Sequence, residues 1–553
     1  MDPDADRKLL ARVEACLRQA AAALDGVAAA LARARPELQQ TQGYPLAQLH
    51  AQLFAARELA VYGARGPLEC QLACAFGGLT LDRLRERLPA LGAAVPGCGP
   101  EPGAFAAAPE TLAVVTLAGA PEQRTRLAAA LEARPEGGAE SLGADSLGEE
   151  HRLLRGSFRA FAERKVRPVA ERLHRADALI PDDLLREAGE LGCFGLSIPL
   201  AFGGVQERPD TLGMVVVTEE LCRASLAFGS VITRPEILAR ALLKGGTDAQ
   251  RRRFLPPMAS GALLVAISVT EPDHGSDVGA ITCAARPDGD GWRISGAKTW
   301  CTFGGRAELI GLLARSEPDP ALGRKGLSLF VVEKPPFHGH DFEHAHPRGG
   351  RLTGRAIATL GYRGMHSYEL RFEDYFVPGD NLVGGAAGRG RGFYLQMEGF
   401  AFGRLQTAAR AVGLMQAAYE AARGYARART VFGKPLADHP LTREKLGAMA
   451  ATVQACRQAT YAAARRLDAP AAGGPGAAGR DGQLEASLVK LLACRQAERV
   501  TREAQQLHGG MGYAEEFPVS RYFVDARVLS IFEGTEEVLA LRVILPALLK
   551  SAG

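Results

Sequence analysis

The sequence predicts an α+β protein built in four parts, in the order helical, helical, β, helical, and three observations carry that reading. Apolar residues recur at helical spacing through residues 1–145, and again through 149–262 and 379–553. Between residues 263 and 378, short β-branched runs alternate with turn signals instead. Stretches rich in Gly and Pro fall where one texture gives way to the next.

At 553 residues the chain is too long for one ordinary domain. In the first part Leu9, Val13 and Leu17, and later Leu81, Leu84 and Leu88, repeat on one helix face. PGCGPEPG at 96–103 interrupts this region, and RPEGGAESLGADSLG at 134–148 reads as a linker that closes it. From Glu149 the pattern is helical again, punctuated by FGLSIPLAFGG (194–204) and by Pro235, Pro256 and Pro257. LLVAISVTEPDHGSD, DGDGWRISGAKTWCTFGG, LIGLLARS, LSLFVVEKP and YELRFEDYFVP then mark the strands of an antiparallel domain. After NLVGGAAGRGRGF (381–393) long helices return through to Lys550. One low-complexity segment, APAAGGPGAAGRDG (469–482), reads as a surface loop between two of them.

Composition narrows the function classes. Hydrophobic residues are 47% and charged residues 23%, the profile of a globular chain. A formal net charge of +4 over the whole length is too weak for a nucleic-acid face. The N-terminus, MDPDADRKLLARVEACL, opens with acids and a helical pattern, unlike a secretory signal or a transit peptide. No apolar run reaches the ~18 residues of a membrane span. The ten cysteines are scattered; Cys70 and Cys74 form a C-x3-C pair, but no second pair completes a zinc site. Reduced, mostly buried thiols are expected, in a cytoplasmic protein with neither a nucleic-acid nor a membrane partner.

Five segments carry chemistry. VTEPDHGSD (269–277) is a turn after a strand, whose small residues and free N–H groups let an anionic or heteroaromatic ligand approach closely; a plain turn reads equally well. KTWCTFGG (298–305) ends the next strand. On a regular strand Trp300 and Thr302 share a face, and an indole beside a hydroxyl suits a flavin ring, although a core Trp is the alternative. ARTVFGKPL (428–436) interrupts a helical stretch, and LHGGMGY (507–513) sets a Gly pair where a pyrophosphate could reach the backbone. IFEGTEEV (531–538) sets Glu533 after Ile531 and Phe532 and just before Gly534. Apolar flanks leave a carboxylate poorly solvated and make it the stronger base, whereas an isolated Glu is more often a helix N-terminal acid.

Those five segments, in this order, resemble the acyl-CoA dehydrogenase family over residues 149–548. The resemblance implies that family's fold: a helical domain, a middle antiparallel β domain and a C-terminal four-helix bundle, here with an extra N-terminal helical domain. It implies FAD as cofactor, with Val269, Thr270, Ser276, Trp300 and Thr302 at the flavin. It places Arg429, Phe432, Gln506 and Gly510 at the ADP half of a neighbouring subunit's FAD, in a homodimer or homotetramer. Thr535 matches a flavin-contacting position, as does Glu537, although a Gln is usual there and an acid suits a pyrophosphate poorly. Glu533 matches the catalytic base, and Gly534 a substrate contact. The family's other base position is Gly403 here, which has no side chain to act, and Arg404 matches the arginine that contacts CoA. An acyl-CoA substrate and electron-transferring flavoprotein as acceptor follow from the same resemblance.

TRPEILARALLKGGTDAQ (233–250), GRAIATLGYRGMHSYELRFEDYFV (354–377) and the long N-terminal region are similar to a branch of the family that oxidises methylsuccinyl-CoA to mesaconyl-CoA. A carboxylate at the end of such an acyl chain needs a buried cation. Arg234 is the candidate, with a surface Arg starting a helix as the alternative. Other short-chain or carrier-bound acyl thioesters, or an acyl-CoA oxidase, stay open, and a non-catalytic flavin-binding relative is a further reading. No strand leads into a G-x-G-x-x-G, which speaks against NAD chemistry. FHGHDFEHAHPRGG (337–350) carries His338, His340, His344 and His346, but its Gly, Asp and Pro indicate a mobile loop, and no metal site is expected there.

Overall fold

A computed structural model describes residues 3–134, 137–469 and 481–552. The chain forms two compact units, one of residues 1–153 with 407–553 and one of residues 154–406. Most of the segment read as a loop, residues 470–480, lies outside the described residues.

The first unit opens with three long helices, α1 (Pro3–Ala32), α2 (Pro36–Gly63) and α3 (Pro67–Ala94), which pack on one another. Pro36 and Pro67 stand in the first turns of α2 and α3, where an absent N–H costs nothing. Leu9, Val13, Leu17, Leu81, Leu84 and Leu88 are all buried, as their spacing requires. At Gly78 a β-carbon would collide with the Ala118–Gly119 backbone, so the small residue lets two chain segments touch.

α2 and α3 also pack on the C-terminal helices Pro440–Asp468 and Asp481–Leu507. The stretch read as a linker is pinned at several points: Tyr62 donates to the Ala144 carbonyl (2.7 Å), and the Gly138 N–H donates to Glu420 (2.6 Å). The window Asp4–Ala32 of α1 is long and apolar enough by composition to cross a membrane, with a mean hydropathy of 1.2. Half of it is buried inside the unit, which is the pattern of a core helix. Nine of the ten cysteines are buried and none is paired.

The second unit combines helices with a sheet of eight strands, β1 (Val265–Ser268), β2 (Ala284–Asp288), β3 (Gly291–Thr302), β4 (Leu309–Arg315), β5 (Leu327–Glu333), β6 (Asp341–Ala345), β7 (Arg351–Ala356) and β8 (Ser367–Pro378). The order is β1-β4-β2-β3-β8-β7-β6, with β5 on the far side of β4. The expected antiparallel pattern holds except at β4, which runs parallel to β1 and touches β2 in parallel. The β2–β3 hairpin intervenes between β1 and β4, giving the chain room to return in the same direction.

The helix Thr211–Ala224 is buried on every face, and Asp248–Ser260 begins with a Thr247–Gln250 capping box and ends at a left-handed Gly261. The histidine-rich segment is not the loop expected of it. Asp341–Ala345 is a strand paired with Arg351–Ala356, and the Phe337 and Phe342 rings stack at 4.7 Å, so aromatic packing outweighs the local turn formers.

Candidate active site

In the second unit β1 runs into the 269–277 turn, and a buried ion pair ties that turn to β3. Lys298 Nζ donates to the Val269 carbonyl (2.8 Å) and to Glu271 Oε1 (2.9 Å). Glu271 also accepts from the Thr282 and Cys283 N–H groups and the Thr282 hydroxyl, all within 3 Å. Burial opposes the charge on Glu271, but Lys298 and these donors outweigh it and hold its carboxyl below the usual range. The Thr299 N–H completes the tie on the Thr270 carbonyl (2.9 Å). Val269 and Thr270 are half-buried and Ser276 is exposed.

β3 does not keep the regular alternation expected of it. A register shift between Lys298 and Cys301 leaves Trp300 with φ of +56° and its side chain 56% exposed, while Thr302 is buried with its hydroxyl 2.9 Å from Ser367. The core reading of Trp300 is thereby overturned. A bulge turns the indole outward, where a planar ligand can stack on it.

Arg234 lies in the helix Thr233–Gly245 and is only 6% exposed, so the surface reading fails as well. Its Nη1 donates to the Ser230 carbonyl (3.0 Å) and to the Tyr362 hydroxyl (3.2 Å). Among the described residues it has no carboxylate within ion-pair distance. Tyr362 is buried at φ of +61°, within the 354–377 stretch, where nothing local in the sequence marks it as a partner of Arg234. Arg404 is half-buried on the long helix Gly392–Ala428, one residue after the buried Gly403.

Among the described histidines, His340 and His366 converge on Asp177, with their ligand atoms within 4.8 Å of one another. Arg363 stands 3.6 Å from the same carboxylate and His366 3.2 Å from it, so Asp177 already faces a fixed cation.

In the first unit the helix Val519–Leu529 ends just before the 531–538 segment. Glu533 and Gly534 both take positive φ, +55° and +94°. Lys490, itself fully buried, donates to the Gly534 carbonyl (2.7 Å). Thr535 caps the following turn by accepting the Val538 N–H (3.3 Å). Oε2 of Glu533 is buried with no hydrogen-bond partner among the described residues, a reactive state for a carboxylate oxygen. The apolar shielding comes from Phe532, which lies beneath the Arg410 guanidinium, and not from Ile531, which is exposed. Thr535 and Glu537 line a cavity of about 410 Å³ in which three arginines, Arg495, Arg499 and Arg527, face three acids, Glu498, Glu536 and Glu537.

Arg429, Phe432, Gln506 and Gly510 are all exposed. Phe432 (97% exposed) tips a two-residue hairpin turn with Gly433, both at positive φ. The structure brings the two sequence segments together: Tyr425, whose carbonyl accepts the Arg429 N–H, stacks on His508 at 4.3 Å, beside Gly509 and Gly510.

The chain matches the acyl-CoA dehydrogenase N-terminal domain over residues 148–262, the middle domain over 266–375 and the C-terminal domain over 390–548. It is 42% identical to (2S)-methylsuccinyl-CoA dehydrogenase of Cereibacter sphaeroides over 420 residues, 76% of this chain and 73% of that one. Butyryl-CoA dehydrogenase from Megasphaera elsdenii resembles it with a TM-score of 0.65 at 29% identity, over 73% of this chain and 100% of that one. Glutaryl-CoA dehydrogenase in its glutaryl-CoA complex gives a TM-score of 0.64 at 29% identity, over 72% and 95%. The chain belongs to the acyl-CoA dehydrogenase family, and it is an FAD-dependent oxidoreductase acting on acyl-CoA.

Proposed function

We propose that this enzyme oxidises a short, branched acyl-CoA ending in a carboxylate, (2S)-methylsuccinyl-CoA, to mesaconyl-CoA. One observation carries the substrate reading: Arg234 is a buried guanidinium without a carboxylate partner among the described residues. A buried cation is costly unless an anion meets it, and a substrate carboxylate would supply that anion. The ring of Tyr362 orients the guanidinium through its hydroxyl, so the two residues form one recognition element. The likeness to an enzyme whose substrate is methylsuccinyl-CoA supports the same reading.

Glu533 is the base. Its unpartnered Oε2 takes the α-proton of the thioester, and the left-handed turn at 533–534 fixes where that oxygen stands. FAD, when bound, supplies the acceptor for the hydride that leaves the β-carbon. The residues suited to hold it are Val269, Thr270, Ser276, Trp300 and Thr302, with Thr535 after the base. An exposed indole offers a stacking face, and the turn pinned by Lys298 offers polar contacts at a fixed place. Arg429, Phe432, Gln506 and Gly510 would reach the ADP half of a neighbour's cofactor, and an almost wholly exposed Phe432 suits a surface that a second subunit covers. Arg404 would contact CoA, and electron-transferring flavoprotein would take the electrons.

The test is Arg234→Gln, assayed with methylsuccinyl-CoA and butyryl-CoA with and without an electron acceptor. Loss of a buried charge partner, about 3–5 kcal/mol, should lower kcat/KM for methylsuccinyl-CoA by about 10²- to 10⁴-fold and leave butyryl-CoA nearly unchanged. Equal effects on both substrates would remove the carboxylate reading. Rapid turnover with oxygen alone would favour an oxidase.

A further inference from the structure

The N-terminal helices reach the catalytic segment directly. Residues 1–147 precede the first family match, yet α2 packs on the chain that follows Glu533. The contact is specific. Tyr44 donates its hydroxyl proton to Glu536 Oε2 at 2.8 Å, and it accepts from Arg495 Nη1 at 3.4 Å. Arg495 in turn stands 3.5 Å from the same Glu536 carboxylate. Gly43, one residue earlier, lies against the Leu545 side chain, and α2 packs on the helix that Leu545 begins. Burial and the neighbouring Glu536 push the Tyr44 phenol up to about 12, so the hydroxyl remains a donor throughout the working range.

Glu536 is three residues beyond Glu533, whose backbone sits in the left-handed region that a non-glycine adopts only under constraint. Three side chains supply that constraint from outside the segment: Lys490 on the Gly534 carbonyl, and Tyr44 and Arg495 on Glu536. We propose that Tyr44 is a positioning residue, through which the N-terminal extension holds the Glu533 carboxylate at the place where it takes the α-proton. The proposal rests on Glu533 as the base and is independent of the acyl specificity assigned to Arg234.

Tyr44→Phe tests it, since the ring and its packing remain and only the hydroxyl goes. The probe is whichever acyl-CoA of the panel bleaches the wild-type flavin fastest. Flavin reduction at saturating acyl-CoA should slow about tenfold, the size of one hydrogen bond to a charged acceptor, while KM and flavin content stay as in the wild type. Adding Glu536→Gln to Tyr44→Phe should cost less than the two single effects combined. Glu58→Gln breaks a different contact of α2, with Arg466, and should leave the reduction rate alone.

Wild-type reduction in Tyr44→Phe would overturn the proposal, as would a fall in Tm with the rate untouched or equal slowing in Glu58→Gln. If Tyr44→Phe does not fold, Glu536→Gln alone decides by the same rate. Glu533→Gln keeps the two readings apart: normal reduction there refutes the base itself. Abolished reduction there, with Tyr44→Phe at the wild-type rate, refutes only the positioning role.

Discussion

Trp300 and Glu533 are held in the same uncommon backbone conformation, at φ of +56° and +55°, but by opposite means. Around Trp300 the support is local to a sheet. Lys298 and Glu271 form a buried pair beneath it, Thr299 bonds to Thr270, and Lys334 clamps the Gly305 and Ala307 carbonyls at 2.7 Å each. Around Glu533 the support is a few long side chains from distant helices, Lys490, Arg495 and Tyr44, the last of them 492 residues from the carboxylate it holds. A left-handed non-glycine persists only where its surroundings over-determine it. The sheet does so with a buried ion pair, which is costly to break. The catalytic turn does so with separate single contacts, the buried Lys490 ammonium on the Gly534 carbonyl and the Tyr44 hydroxyl and Arg495 on Glu536. Of these, the Tyr44 hydroxyl should tune position at little cost in stability. Disturbing the first region should therefore appear as lost stability, and disturbing the second as lost rate.

The largest expected effect tests the second region. Glu533→Gln keeps the shape of the turn and removes the base. Flavin bleaching by substrate should slow by about 10³-fold, with bound FAD and Tm unchanged. A variant that lost its flavin or melted early would mean that Glu533 serves the fold, and the contrast between the regions would collapse.

Lys298→Met should do the reverse. It leaves Glu271, only 4% exposed, without its cation, and breaking a buried pair costs about 3–5 kcal/mol. Urea unfolding should shift by that amount and flavin content should fall, because the 269–277 turn loses its anchor. An unchanged urea midpoint would show that the backbone donors on Glu271 suffice.

How much of this was legible in the sequence differs between the same two regions. The order of textures, the buried leucines of α1 and α3, and the segments around Trp300 and Glu533 could all be read from spacing and short motifs. The outward turn of Trp300 could not, because alternation assumes a regular strand and a register shift depends on the partner, β8. The parallel run of β4 and the strand within the histidine-rich segment were hidden for the same reason: pairing is a long-range property. Arg234 was named from its segment, but Tyr362, 128 residues away, carries no local signal. Likewise nothing about Gly43 and Tyr44 marks them as neighbours of the catalytic turn. A hint lay in the acidic pair Glu536–Glu537 beside a base, since two added acids there need cations nearby, and Arg495 and Arg499 supply them.

The smallest effect sharpens the account of the sheet region through its pH dependence. In the wild type the Glu271 carboxyl is held below its usual value of 4.5: burial opposes this, and Lys298 and the N–H donors prevail. A depressed folded value means that the pair's stabilisation is fully present above pH 4.5 and is lost as pH falls below it. In Lys298→Met burial is no longer offset by a cation, so the folded protein favours the neutral acid and that variant loses stability as pH rises instead. The two unfolding curves should therefore lie furthest apart at neutral pH and converge as pH falls below 4.5, because protonation removes the ion pair in one protein and the unpaired charge in the other. Urea midpoints measured from pH 7 down to the acid transition give the comparison. A gap constant across that range would assign the loss in Lys298→Met to the missing Val269 contact alone, and the buried charge would no longer distinguish the region around Trp300 from the turn at Glu533.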